Sequence, residues 1–310
     1  MGNMTKTAFL FSGQGAQKLG MAYDLYEQFD VVKETFDRAS VLLGDDLRFL
    51  IDHDEEKLNE TKYTQPAILT TSVAISRLLE ENNIHPDVVA GLSLGEYSAL
   101  VISGALTFDD AIQLVAKRGQ YMSEAAPTGS GKMVAIMNTD AGRIESACQK
   151  ASEFGIVSPA NYNTPGQIVI GGEVKAVDTA VEILKAEGVK KMIELKVSGP
   201  FHTAILKPAS DRLKVELENV EFSTFDLPLI SNTTAQVMHE DEIRSLLTRQ
   251  VMEPVRFYES IETMKNLGVD RFIEVGPGKV LSGFIKRIDK AAKFTNVEDL
   301  PSLKTLLENK

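Results

Sequence analysis

The chain of 310 residues has no tryptophan, a single cysteine and only four histidines. One cysteine excludes an internal disulfide and any metal site built from several thiolates. Cys148 falls in the amphipathic stretch AGRIESACQKAS, where a small buried side chain is expected rather than a reactive thiol. Positive charge is also short. The 33 lysines and arginines against 44 aspartates and glutamates leave a formal net charge of -11, which argues against sequence-independent nucleic-acid binding, since that needs a basic face. No apolar run approaches the roughly 20 residues of a membrane span. The early AFLF is too short for a signal-peptide core, and no cleavage site follows it. The expectation is an acidic, monomeric cytoplasmic protein that partners neither membrane nor nucleic acid.

What is present is ordinary globular composition, 43% hydrophobic and 25% charged, over a length that suits one large α/β domain with a smaller companion. Four segments share one grammar of short apolar run, glycine turn and helical pattern. KTAFLF leads into Ser12-Gly13-Gln14-Gly15, and DVVAG into Leu92-Ser93-Leu94-Gly95. KMIELKV leads into Ser198-Gly199-Pro200-Phe201-His202, and RFIEV into Gly276-Pro277-Gly278. Repeated strand-turn-helix units imply a parallel sheet with helices on its faces. Ligands bind such sheets beyond the carboxyl ends of the strands. All four turns are therefore expected on one rim, with Gln14, Ser93 and His202 side by side.

Residues 132–196 break the grammar. They read strand KMVAIM, a helix over 140–153, strands GIVSPANY and QIVIGG, a helix over 174–187, and strand KKMIELK. The order βαββαβ is a ferredoxin-like unit, and APTGSG before it suits a hinge. The expected division is a large domain of residues 1–128 and 197–310, with a small domain of residues 129–196 inserted into it.

Gly91-x-Ser93-x-Gly95 has the form of a nucleophile elbow in its required place between strand and helix. The backbone N–H of Leu94, at the helix start, would then face a carbonyl oxygen gaining charge. A serine that merely caps the helix is the plainer alternative. A serine nucleophile needs a base. His53 in DHDEE and His239 in MHEDE lie in charged stretches, and His85 precedes Pro86 at the wrong end of the sheet. His202 remains. Gln14, in FSGQGAQ, follows the first strand, where a second oxyanion donor is supplied in elbow enzymes, so its backbone N–H is the candidate. No Gly-Lys-Ser/Thr follows it, which disfavours a phosphate loop.

Arg118 points toward the substrate. A helix is expected from the Thr107/Asp110 capping pair to about Ala126, with Ala111, Leu114, Val115, Met122 and Ala125 forming its apolar stripe. Arg118 falls within that stripe. A guanidinium there costs several kcal/mol of desolvation unless an anion meets it. Three occupants remain open: a buried carboxylate, water reached by a snorkelling stem, or a substrate carboxylate held by the fork.

Taken together, FSGQGAQ, YTQPA, GLSLGEYSAL, Arg118 in AKRGQYM, NTPGQIVIGG, GPFH and EVGPGKVLSG resemble the malonyl-CoA:acyl carrier protein transacylase family, in the same order, from about Thr5 to Arg287. The resemblance implies an α/β-hydrolase-like parallel-sheet large domain with the ferredoxin-like insertion. It implies Ser93 as nucleophile, His202 as base, Gln14 and Leu94 as oxyanion donors and Arg118 as partner of the malonyl carboxylate. It makes Phe201 a wall of the acyl pocket, and Gln250, in TRQVMEPVRF, the residue whose main-chain carbonyl orients the imidazole. Malonyl-CoA and acyl carrier protein are the implied substrates, with no metal and no cofactor. One departure is visible: the family usually has histidine just before the nucleophile, where this chain has Leu92. A serine esterase or thioesterase, a polyketide acyltransferase and a non-catalytic module for acyl carriers are the alternatives. Lys279, Lys286 and Arg287, or Lys190 and Lys191, are candidates for a local basic patch facing an acidic carrier.

Overall fold

The structure, a computed structural model, describes residues 4–309. Its strands are, in chain order, β1 (Thr7–Phe11), β2 (Val88–Gly91), β3 (Lys132–Met137), β4 (Val157–Thr164), β5 (Gln167–Gly172), β6 (Met192–Glu194), β7 (Val255–Arg256), β8 (Arg271–Val275) and β9 (Lys293–Val297). They form two sheets.

The first sheet has the order β2-β1-β8-β9 and is parallel throughout. β1 and β2 are buried at every position, because helices cover both faces of a parallel sheet and leave no polar side to alternate. The chain steps from β1 to β2 on one side, and β8 follows on the other. A crevice therefore opens at the carboxyl end of β1, where ligands of such sheets bind. The 21-residue helix Thr61–Glu81 and the helix Phe108–Ala125 pack in the large core beside it.

The second sheet has the order β6-β3-β5-β4-β7. β3 runs antiparallel to β5 and β6, and β5 antiparallel to β4. With the helices Ala141–Ala151 and Val174–Ala186 the element order over 132–194 is βαββαβ. These elements enclose a core of their own, including Val134, Ile136, Ile144, Ile168, Ile170 and Leu184. Cys148 belongs to it, and burial pushes its thiol up to about 12, so it carries no thiolate at neutral pH.

Two features differ from the sequence expectation. KMIELKV suits both a strand feeding the parallel rim and the last strand of the βαββαβ unit; β6 takes the second place, antiparallel to β3 in the second sheet. His202 is therefore reached from the second sheet, and the other three glycine turns share the parallel rim. An apolar run specifies a strand without specifying its neighbour. Conversely, β7 joins the second sheet beside β4 from far outside residues 129–196. β9, in the partly exposed stretch KFTNV, completes the edge of the parallel sheet; its weak apolar pattern gave no strand signal.

Candidate active site

The Gly91-x-Ser93-x-Gly95 turn owes its glycines to crowding. A Cβ on Gly91 would lie 2.0 Å from the carbonyl carbon of Gly95, and one on Gly95 would lie 2.1 Å from the carbonyl oxygen of Phe11. The helix Gly95–Ile102 thereby packs its backbone directly on the sheet. Ser93, between the glycines, has φ 55, a left-handed conformation that is strained for a residue with a side chain. The strain lifts its hydroxyl out of the helix line toward the crevice.

The imidazole of His202 meets that hydroxyl: Nε2 is 2.8 Å from Ser93 Oγ. Nδ1 is 2.7 Å from the main-chain oxygen of Gln250, the last residue of the helix Ile243–Gln250. A carbonyl can only accept, so the proton sits on Nδ1 and Nε2 is left as the acceptor for the serine. The His202 backbone is also left-handed, φ 61, and its N–H donates to the Val251 oxygen at 3.0 Å. Burial, and then the nearby Arg118 charge, push its pKa down to about 4. The ring is neutral at physiological pH, as a base must be. The other three histidines, His53, His85 and His239, are exposed.

Arg118 is 1% exposed. Thr107 accepts from the Asp110 N–H at the start of its helix, and Gln113, Lys117, Gln120 and Glu124 form the wet face. Nη1 donates to Gln65 Oε1 at 2.8 Å, and Nη2 to Gln250 Oε1 at 2.9 Å and to Ser93 Oγ at 3.3 Å. The guanidinium also lies 5.2 Å from the ring centre of Tyr97. Its partners are neutral amides, a hydroxyl and a ring. No carboxylate is in ion-pair contact with it among the described residues, although buried Glu96, joined to it through Gln250, acts on it across that amide.

Gln14 and Phe201 line the same cavity as Ser93 and His202, a volume of about 1010 Å³. The Gln14 side chain is tied back, donating to Thr61 Oγ1 at 2.9 Å and Ser198 Oγ at 3.3 Å. No protein acceptor among the described residues meets the backbone N–H of Gln14 or of Leu94. Leu94 is the N-cap of the helix after Ser93, so its N–H is one of the unsatisfied donors of a helix start. Leu92 lines the cavity and packs its other side on the core beside β1. The second sheet contributes Met133, Asn161, Asn163 and Gln167 to the opposite wall.

The structure thus brings Ser93, His202, Arg118 and Gln250 into direct contact and sets Gln14, Leu94 and Phe201 around them. Several residues escaped the sequence reading. Gln65 sits in the YTQPA motif and holds Arg118. Asn232 accepts from the Ser93 N–H at 2.7 Å. Glu96, directly after the elbow and 1% exposed, accepts from Gln250 Nε2 at 2.5 Å and from the Asn232 N–H at 3.3 Å. Burial raises Glu96 to about 7. Polar residues at core-facing helix positions were the available signal for Gln65 and Glu96. Asn232 offered none, because it comes from an irregular loop.

Comparison with known proteins gives a consistent picture. The acyl transferase domain family matches residues 8–306. A malonyl CoA-acyl carrier protein transacylase of Bacillus subtilis is 46% identical over 308 residues, 98% of this chain and 97% of that protein. The crystal structure of MCAT from Streptococcus pneumoniae is 65% identical with a TM-score of 0.98, covering 98% of this chain and all (100%) of the other. A malonyl-transacylase solved in complex with a type II PKS acyl-carrier protein is 45% identical with a TM-score of 0.95, covering 99% of this chain and 100% of its own.

Proposed function

The chain belongs to the acyl transferase domain family, and from that premise we propose that it transfers the malonyl group of malonyl-CoA to the phosphopantetheine thiol of acyl carrier protein, supplying fatty-acid elongation. One observation carries the choice of substrate: a buried guanidinium without a carboxylate partner stands 3.3 Å from the candidate nucleophile. A malonyl thioester presents its reacting carbonyl two bonds from a free carboxylate. The acid and the carbonyl would meet Arg118 and Ser93 together, the acid gripped by the guanidinium fork. An acetyl group would leave that cation unpaired, which opposes its use.

Ser93 Oγ attacks the thioester carbon while His202 Nε2 takes the hydroxyl proton. The N–H groups of Gln14 and Leu94 receive the developing oxyanion. Collapse breaks the carbon–sulfur bond, and the imidazolium returns the proton to the departing coenzyme A sulfur, leaving a malonyl-Ser93 ester. The carrier thiol then repeats the sequence in reverse, giving its proton to His202 as its sulfur attacks the ester. Thioester, ester and thioester are close in energy, so the exchange needs no cofactor. The Gln250 carbonyl stabilises the imidazolium and fixes its tautomer, the part a carboxylate plays in the Ser-His-Asp arrangement. Phe201 walls the acyl pocket.

The larger body, residues 1–128 with 197–310, belongs in this proposal to the α/β-hydrolase-like class, and residues 129–196 to the ferredoxin-like class. The parallel sheet and the βαββαβ order support that assignment. Lys279, Lys286 and Arg287 are exposed on and beside the helix whose Val280 and Phe284 line the cavity mouth, a place suited to an acidic carrier.

Intact-mass measurement after mixing with malonyl-CoA tests the proposal. A malonyl adduct that disappears in Ser93→Ala, and that passes to added carrier faster than it hydrolyses in a carrier-free control, is expected. Hydrolysis unaffected by carrier would make the chain a thioesterase. The lack of any adduct would make it a binding module.

A further inference from the structure

The N–H of Ser93 has a single acceptor, the side-chain oxygen of Asn232, 139 residues further along the chain at 2.7 Å. The other end of that carboxamide, Nδ2, donates to the Gly91 carbonyl at 2.5 Å. One side chain therefore brackets the elbow on both sides of Leu92. Its amide orientation is not ambiguous, because an N–H needs the oxygen and a carbonyl needs the nitrogen. Asn232 is itself fixed. Its own N–H donates to Glu96 Oε1 at 3.3 Å, and its carbonyl accepts from the Arg256 N–H at 2.9 Å. The loop around it closes through Ala235 N to Ser231 O, 2.9 Å. Asn232 is 2% exposed, lies outside the cavity lining, and makes no hydrogen bond to Arg118.

A left-handed serine relaxes unless surrounding structure over-determines it. Helix and strand ladders hold neither the Ser93 N–H nor the Gly91 carbonyl on this side of the turn, and Asn232 is what meets both. We propose that Asn232 is a positioning residue for the nucleophile: its carboxamide clamps Gly91 to Ser93 in the strained turn and so keeps Oγ against His202 and beneath the Leu94 N–H. This rests on Ser93 being the acylated residue. It makes no claim on the acyl group, which Arg118 contacts without help from Asn232.

The test is the single-turnover rate of Ser93 acylation by malonyl-CoA and by acetyl-CoA, per active site titrated by intact mass, in wild type, Asn232→Ala and Asn232→Asp. A displacement on the order of 1 Å at a reacting centre costs about 10²-fold. Asn232→Ala is expected to acylate about 10²-fold more slowly with both donors, with the malonyl-to-acetyl ratio and the malonyl-CoA KM near wild type. Asn232→Asp provides the conservative rescue. Protonated, its hydroxyl donates to Gly91 while its carbonyl accepts from Ser93; ionised, it repels the Gly91 oxygen. Its rate relative to wild type should therefore rise as pH falls from 8 to 5.5, whereas the deficit of the alanine variant stays constant.

A merely structural role would lower the melting temperature or the number of titrated sites and leave the rate per site alone. Acylation per site within about twofold of wild type in Asn232→Ala overturns the proposal, as does a loss confined to malonyl. Should the alanine variant not fold, Asn232→Asp decides: no deficit at pH 8 overturns it equally. Absence of a Ser93 adduct in the wild type would instead remove the underlying reading of the serine.

Discussion

Arg118 Nη2 lies 3.3 Å from Ser93 Oγ, while its nearest acceptors are the side-chain oxygens of Gln65 and Gln250, at 2.8 and 2.9 Å. A permanent charge is thus held by neutral amides at the point where an acyl group would form its ester. Amides orient a guanidinium without neutralising it, and the buried Glu96 carboxylate reaches it only across Gln250, so no anion meets the fork directly. The same charge depresses the His202 pKa. In the proposed reaction Arg118 would select the donor, and, second to burial, its charge helps keep the His202 ring unprotonated.

Arg118→Ala should lower kcat/KM for malonyl-CoA by about 10²- to 10³-fold, the range for losing one partner of a desolvated charge pair. Acetyl-CoA should be used no worse than by wild type, since it never paired with the guanidinium. Parallel assays with the two donors check this. An unchanged malonyl-to-acetyl ratio would remove Arg118 from substrate recognition.

Gln65→Leu leaves Nη1 without its acceptor while conserving volume. A buried donor left unsatisfied costs about 1–3 kcal/mol, so malonyl use should fall roughly 5- to 150-fold, with Ser93 still able to form an acetyl ester. Adduct formation from each donor reads the difference directly.

The pH dependence of acylation follows from the His202 pKa near 4. The neutral ring is the active form, so the rate should hold from pH 8 down to about 5 and fall as the pH drops through 4. Arg118→Ala removes one cause of the depression and should move that acid limb upward. For stability the sign is the same. The unfolded ring, with an ordinary value of 6.5, takes a proton first, so the fold loses stability as pH falls from about 6.5 toward 4. Stopped-flow acylation and thermal melts across pH 3.5–8 measure the two effects separately.

Gly95→Ala should be among the most damaging single-methyl changes. Its Cβ would lie 2.1 Å from the Phe11 carbonyl oxygen, and backbone atoms on both sides cannot yield as a side-chain end would. A cost of about 3 kcal/mol or more is expected from overpacking of this kind. A melting temperature close to wild type would show that the helix can lift off the sheet.

The elbow was legible because its chemistry is local. A short apolar strand, two glycines and a helix start stand within a dozen residues; Gly91 is required by the turn itself, and Gly95 by the approach of the Phe11 backbone. Arg118 was legible for a similar reason: helical spacing alone puts it on the buried face, although its partners remained open. Choosing His202 rested on the scarcity of histidine, the charged surroundings of His53 and His239, and a place after a strand and glycine turn that His85 lacks. The route to it was misjudged, because the spacing of KMIELKV marks a strand yet says nothing of which sheet receives it. The transfer of β7 to the second sheet was silent for the same cause, since strand pairing is set by neighbours distant in sequence, whereas β9 was silent because its apolar pattern is weak.

What the amino-acid sequence determined alone was the inventory: one serine in an elbow pattern, four histidines of which one follows a glycine turn, one cation on an apolar helix face, and two patterns of strand and helix. Only the tertiary structure decided that Gln65, Glu96, Asn232 and Gln250 surround that inventory, and in which direction each amide points. Hydrogen bonds between side chains 50 to 160 residues apart leave no periodic trace in the chain, because their geometry exists only once both backbones are fixed.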